Sequence, residues 1–329
     1  MNPFQGRRFL LVSGVLLGAP LAPFAQQPQA KVPRVAFLIS ETIPGTSSRI
    51  EAMRAGLRDH GYVEDKNVVV EIWAADGDYE RLADLAAAAV RNKVDVMVAF
   101  GTKAVSAAKR ATTTIPIVDP VMGDPVAYGL ASSLARPEGN VTGLAAFGDV
   151  LHVKRVELLK ELVPRIVRLA FILNPANPSA AVAGERVRAA ATRLSLDFKP
   201  FEVRNPKDLD KVFSAIAKAG ADSIVVSSDT LFRSHAKEVA ALAAKYRLPS
   251  VGTNEYAEAG GLIGYGVNDA QLFRRGAYFV DKILKGAKPG DLPIERPTRF
   301  ELVLNKKTAR ALSIKIPESI LIRADREIE

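Results

Sequence analysis

The sequence predicts an α/β protein of two similar Rossmann-like lobes, each a parallel sheet flanked by helices, with a ligand cleft between them. Three observations lead there. From Pro33 onward, short β-branched runs alternate with segments of about 10 to 18 residues that have helical spacing. The apolar runs read as continuous rather than alternating, the pattern of strands covered on both faces. And the opening segment is written twice: RVAFLISETIP at 34–44 returns as RLAFILNPANP at 168–178, with Arg34, Ala36, Phe37 and Pro44 matched by Arg168, Ala170, Phe171 and Pro178. A chain of 329 residues exceeds an ordinary domain of about 100 to 200, and 48% apolar with 25% charged residues describes a globular protein with room for two cores.

The first series opens with a strand at 35–40 and a helix over 47–60, followed by the strand NVVVEIWAA and the helix YERLADLAAAAVRNK. In that helix Leu82, Leu85, Ala86, Ala89 and Val90 fall on one stripe, as in a helix lying on a sheet. VDVMVAFG, a helix over 102–111, IPIVDPVM, a short helix through YGLASSLA, and VTGLAAFG complete it. After a helix over 151–162 the series restarts with RLAFILN, a helix over 179–195, DFKPFEV, the helix PKDLDKVFSAIAKAG and ADSIVVSSD. A helix over 230–246, LPSVGT and GGLIGYGVN follow. Leu82, Asp95 and Val98 match Leu209, Asp222 and Val225, so the spacing shrinks by seven residues around the second strand. One βα unit used twice accounts for this.

Parallel sheets bind ligands outside the carboxyl ends of their strands, where helix N-termini present unpaired N–H groups. The residues at those edges are short and polar: Ser40, Glu41 and Thr42; Gly101 and Thr102; Asp124; Asn174 and Asn177; Ser227, Ser228 and Asp229; Thr253 and Asn254. These are the candidate ligand-binding residues, although each can equally cap its own helix. Asp124, between a glycine and a proline after an apolar strand, and Asp229 in the corresponding place of the second lobe, are suited to an amine on a ligand or to capping.

Catalytic patterns are weak. His60, His152 and His235 fall on predicted helices beside polar neighbours and read as surface residues. Ser106 with Lys109, and Ser234 with Lys237, spell S-x-x-K without the companion motifs of that enzyme class. GGLIGYG at 260–266 has Asp269 where a dinucleotide loop needs its third glycine, and no Walker motif or H-E-x-x-H spacing occurs. No cofactor and no metal are expected. The formal charge of +9 is spread over helices that mix both signs, as in HVKRVELLKEL, so a solvated surface is expected rather than a nucleic-acid stripe. Residues 1–25 read as a signal peptide: Arg7 and Arg8, an apolar run from Phe9 to Leu17, and a small-residue exit at Ala25. The run falls short of the roughly 20 residues a membrane span needs. Without cysteine there is neither a disulfide nor the thiol of a bacterial lipid anchor, so a periplasmic product is expected.

The phrases DPVAYGLASSLARPEGNVTGL, LFRRGAYFVDKILKGAKPGDLP and PTRFELVLNKKTARALSIKIPESILIRADREIE resemble the ABC-transporter substrate-binding family that includes tryptophan and tyrosine uptake proteins. The resemblance runs from Pro33 to the C-terminus. It implies a type I periplasmic-binding-protein fold with three crossovers: residues 26–32 a linker, 33–148 with 270–300 the first lobe, and 149–269 with 301–329 the second. It also implies a non-enzymatic monomer that captures a small molecule, an amino acid or related carboxylate, by hinge closure and delivers it to an ABC transporter permease in the inner membrane. For an amino acid, the carboxylate is expected near Thr102 with Ser40 or Ser228, and the ammonium at Asp124 or Asp229. Glu138, where the family usually has glycine, is a departure expected to affect only a surface turn. A sensor or an enzyme on the same two-lobe fold is the alternative.

Overall fold

The computed structural model describes residues 31–146 and 148–329; the expected signal peptide, and all but the last two residues of the expected linker, lie outside the described residues. The first sheet is wholly parallel. It contains β1 (Arg34–Ile39), β2 (Val69–Ala74), β3 (Val96–Phe100), β4 (Ile117–Met122) and β5 (Val141–Ala145) in the order β2-β1-β3-β4-β5. The second contains β6 (Arg168–Leu173), β7 (Asp197–Glu202), β8 (Ser223–Val226), β9 (Ser250–Gly252) and β10 (Ile263–Gly266) in the matching order β7-β6-β8-β9-β10. It is extended by β11 (Glu301–Asn305), antiparallel to β10, and β12 (Arg326–Ile328), parallel to β11.

The duplication reaches into the packing. In β1 the side chains of Val35, Phe37 and Ile39 enter one core, and Ala36 and Leu38 the core on the opposite face. In β6, Leu169, Phe171 and Leu173 face one way and Ala170 and Ile172 the other. Burial on both faces is why these strands read as uninterrupted apolar runs. The repeated aspartates are structural pins: Asp95 accepts the N–H of Arg34 at 2.8 Å, and Asp222 accepts those of Val167 and Arg168, both at 3.0 Å. Each ties the entry of the first strand of its lobe to that of the third.

Helices α1 (Ile43–Asp59), α2 (Arg81–Arg91) and α3 (Thr102–Ala111) cover the first sheet. In the second half come α4 (Gly148–Leu162), α5 (Ala180–Arg193), α6 (Leu209–Lys218), α7 (Thr230–Ser234), α8 (Ala236–Lys245) and α9 (Asn254–Glu258). After β10 the chain returns to the first lobe as α10 (Asp269–Leu284), whose Phe273, Ala277 and Val280 share a core with Val35 and Phe37. Glu295 then bridges to Leu144 of β5 before β11 rejoins the second sheet. The chain therefore passes between the sheets three times: between β5 and α4, between β10 and α10, and before β11. Two short helices, α11 (Lys306–Ala311) and α12 (Glu318–Leu321), flank the approach to β12.

Two expected helices differ. YGLASSLA forms no helix, because Gly129 at φ +62° turns the chain and the N–H groups of Leu130 and Ala131 both fold back to the carbonyl of Pro125. The helix expected over 230–246 is broken at His235, where φ −110° and ψ 25° leave the α region and separate α7 from α8. Among the described residues no helix is long and apolar enough to cross a membrane.

Candidate functional site

The carboxyl ends of both sheets meet at a cavity of about 90 Å³. From the first lobe it is lined by Gly101 and Thr102 at the start of α3, by Met122 and Gly123 after β4, and by Tyr128; from the second by Asn174, Asn177, Ser227, Ser228 and Asp229. Gly101 has φ +88°, a left-handed conformation that lets β3 turn straight into α3. A Cβ there would also stand 3.3 Å from Thr230 of the other lobe, so the rims are in contact. The unpaired N–H groups of the first turn of α3 make this edge of the cavity electropositive.

Asp229 is the hub of the second rim. Its Oδ1 accepts from the backbone N–H of Leu231 at 2.9 Å, from Asn174 Nδ2 at 3.2 Å and from the Tyr79 hydroxyl at 3.1 Å; its Oδ2 accepts from Asn177 Nδ2 at 2.6 Å. It caps α7, fixes both asparagines and reaches across the cleft to the first lobe. Burial, and next the neighbouring Asp229 charge, hold the Tyr79 phenol well above its usual pKa, so it remains a donor. The Tyr79 and Thr230 hydroxyls lie 2.7 Å apart, which adds a second bond across the same gap.

Beside the cavity is a largely buried charge cluster that links both lobes, with Glu255 at its partly exposed edge. Arg49 of α1 pairs with Glu41 at 2.8 Å; Arg233 of α7 pairs with Glu255 at 3.4 Å and with Asp269, the first residue of α10. Both arginines line the cavity, and both also line an adjacent open compartment of about 670 Å³ beside the β10–α10 crossover. Burial works against the Arg233 charge, but Asp269 and Glu255 outweigh it and raise its pKa. Burial, reinforced by the Glu255 charge, raises the Asp269 carboxyl against the pull of Arg233.

Of the residues proposed from sequence, Gly101, Thr102, Asn174, Asn177, Ser227, Ser228 and Asp229 line the cavity. Ser40 and Glu41 are buried outside the cavity lining, and Glu41 is engaged by Arg49. Thr42 caps α1 by accepting the N–H of Gly45 at 3.2 Å. Thr253 is the buried N-cap residue of α9, and Asn254, in the adjacent compartment, donates to the carbonyl of Val267 at 3.3 Å. Asp124 lies outside the cavity lining, where Oδ1 caps the following turn by accepting the N–H groups of Val126 and Ala127.

His152 departs from the surface position expected of it. It is 2% exposed, sits 5.5 Å from the Phe171 ring in an edge-on contact and lines the cavity. Burial, with the charges of Arg155 and Arg233, holds its pKa well below the usual histidine range. Sequence reasoning also missed Tyr79, Arg49, Arg155 and Arg233. For Arg49 a signal was present: it falls in the buried stripe Thr46, Arg49, Ile50, Met53 of α1, a charge at a core position. His152 and Arg155 likewise share the core-facing phase of Val156 and Leu159 on α4. Among the described residues no cluster of His, Asp and Glu is placed to hold a metal ion.

With this geometry in view, the comparisons with known proteins agree with one another. The sequence model of the family described as ABC transporter substrate binding protein matches residues 35–328. A tyrosine-binding protein of Clostridioides difficile strain R20291 is 26% identical over 261 residues, covering 79% of this chain and 74% of the relative. A conserved domain protein of Vibrio cholerae O1 biovar El Tor superposes with a TM-score of 0.85 at 29% identity, covering 90% of this chain and 100% of that one. An ABC domain from Streptococcus pneumoniae, solved in complex with L-Trp, superposes at 0.83 with 26% identity, covering 90% and 99%.

Proposed function

This chain belongs to the ABC transporter substrate-binding protein family, and on that premise we propose that it captures an amino acid or a related carboxylate, aromatic ones included, in the cavity between its lobes. The single observation that carries this reading is the cavity lined by both rims and bridged by the Tyr79–Asp229 bond. The tyrosine named for one relative and the L-Trp bound to another support the ligand class.

In this reading the ligand carboxylate meets the N-terminus of α3 at Thr102 together with Ser228. The ammonium meets Asp229 on the side of Oδ2, which accepts one bond where Oδ1 accepts three. The bodies that close are 33–148 with 270–300 and 149–269 with 301–329. Closure follows because the ligand bonds both rims only in the closed form, and that difference in affinity shifts the population. The protein works in the periplasm as a monomer, passes its solute unchanged to a permease of an inner-membrane ABC importer, and takes no cofactor.

Thermal denaturation of the mature protein against the common amino acids tests this. A ligand at a hundred times its dissociation constant stabilises the folded state by about 2.7 kcal/mol. L-tryptophan or L-tyrosine is expected to raise the midpoint measurably. No shift with any amino acid or aromatic carboxylate would overturn the proposal.

A further inference from the structure

Arg155, on the face of α4 turned toward the cavity, carries a buried charge that its own bonding partners do not neutralise. It is 1% exposed. Its Nε donates to the Tyr265 carbonyl at 2.8 Å, and its Nη1 to Ser228 Oγ at 2.7 Å and to His152 Nδ1 at 3.1 Å. A guanidinium only donates, so His152 Nδ1 must accept; the ring is neutral, with its proton on Nε2. All three partners of Arg155 are therefore uncharged. Among the described residues no carboxylate forms an ion pair with it, because Glu255 and Asp269 are bonded to Arg233 instead. Burial, with Arg233 nearby, pushes the Arg155 guanidinium down to about 9, which still leaves it charged at neutral pH. A buried charge without a counter-charge is costly, and a polar cavity next to it is where compensation can arrive.

The bond to Ser228 fixes what the cavity offers. Because Ser228 Oγ accepts from Arg155, its own proton is free for another acceptor, and Ser228 lines the cavity. Beside it the Ser227 hydroxyl, 7% exposed, also lines the cavity and has no hydrogen-bond partner among the described residues. The N-terminal turn of α3 approaches from the other lobe. These groups are donors around one space, with a cation one atom behind them.

We propose that Arg155 is the positioning residue that makes this wall select an anionic group: a ligand carboxylate bonded to the Ser228 hydroxyl completes, through that single oxygen, the ion pair Arg155 lacks. This rests on reading the cleft as a carboxylate site, and it assigns to the second lobe a requirement for negative charge that neutral solutes do not meet.

Isothermal titration with L-tryptophan, L-tryptophanamide and indole-3-propionate at about pH 6, where the amino groups stay protonated, tests it. Wild type is expected to bind tryptophan at least about 100-fold more tightly than its amide, as sites built around a specific bonded group discriminate. In Arg155→Met the acid should weaken about 100-fold and the amide by less than about threefold, so discrimination collapses. A purely structural role would weaken acid and amide alike, and that result overturns the assignment. Ser228→Ala, which removes one oxygen at the cavity wall, provides the same test if Arg155→Met fails to fold; unchanged acid-over-amide preference there overturns it too. If wild type bound indole-3-propionate but not tryptophan, the amino-acid reading would fall while the anion requirement stood. Equal affinity for acid and amide would instead remove the anion requirement and leave the amino-acid reading in place, and silence with all three probes would end both.

Discussion

Tyr79 and Asp229 lie 150 residues apart in sequence and meet at 3.1 Å across the cleft, the hydroxyl of the first lobe donating to the carboxylate of the second. Because the two side chains stand on different lobes, their bond exists only while the rims are together. Tyr79→Phe removes the donor and keeps the ring. A hydrogen bond to a charged group contributes about 1.5–3 kcal/mol, so ligand affinity should fall by roughly 10- to 100-fold through loss of the closed state. Small-angle scattering at a tryptophan concentration that just saturates wild type should show a larger radius of gyration for the variant; identical profiles there would count against a clasp.

Asp229→Asn should cost more than the loss of one charge. At Oδ1 three donors converge, and at Oδ2 a fourth, Asn177 Nδ2. Whichever way an asparagine amide is turned, its NH₂ faces a donor. Asn177 cannot flip to accept, because its Oδ1 already takes the N–H and the hydroxyl of Ser179. The variant should lose about 1–3 kcal/mol, the cost of a buried polar group left unsatisfied, read as a lower urea midpoint at unchanged slope.

How much of this was legible follows from which residue does which task. The series of strands and helices along the chain and the repeat were readable, because Phe37 and Phe171 occupy the same buried register in sheets covered on both faces. The rim residues Thr102, Ser228 and Asp229 were readable because strand ends in such sheets present them. Tyr79, two residues before α2 on a surface loop, gave no local sign that it reaches Asp229, since only the approach of two lobes makes that contact. Arg49 and Arg155 stand as charges on the apolar stripes of their helices, but tertiary packing decides what each one bonds: Glu41 for Arg49, and only neutral groups for Arg155. Asp124 carried the same Gly-Asp-Pro signature whether it bound a ligand or capped a turn, and capping is what its hydrogen bonds show.

Glu138 illustrates a position where local backbone geometry opposes the residue present. It is exposed, with φ +57°, in a turn whose N–H donates to the carbonyl of Gly290 at 3.3 Å. A non-glycine residue in the left-handed region costs about 1–2 kcal/mol, partly offset by the unfolded-state entropy that a glycine brings. Glu138→Gly should therefore stabilise the protein by about 0.5–1 kcal/mol, a rise of about 1 to 3 °C in the melting midpoint. A lower midpoint would mean that the glutamate side chain makes a compensating interaction in solution.

Asp119 should leave a signature in the pH dependence of stability. It lies in β4, 0% exposed, with Oδ1 accepting the N–H of Val121 at 2.9 Å. Burial pushes its carboxyl up to about 7, with the backbone N–H groups of Val121 and Gly101 pulling the other way. An unfolded aspartate titrates near about 3.9, so between about 4 and 7 the folded state holds the proton that the unfolded chain has released. Stability from this group is thus fully present below about pH 4 and is lost as pH rises through about 7. At about 1.36 kcal/mol per pKa unit the loss is on the order of 4 kcal/mol as an upper bound. Asp119→Asn, which resembles the protonated form, should remove that slope. Urea unfolding of both proteins at about pH 5 and pH 8 should show wild type losing more stability than the variant as pH rises, with the variant the more stable at the higher pH. Parallel pH profiles would mean that Asp119 stays ionised in the folded protein, held by polar neighbours stronger than its burial.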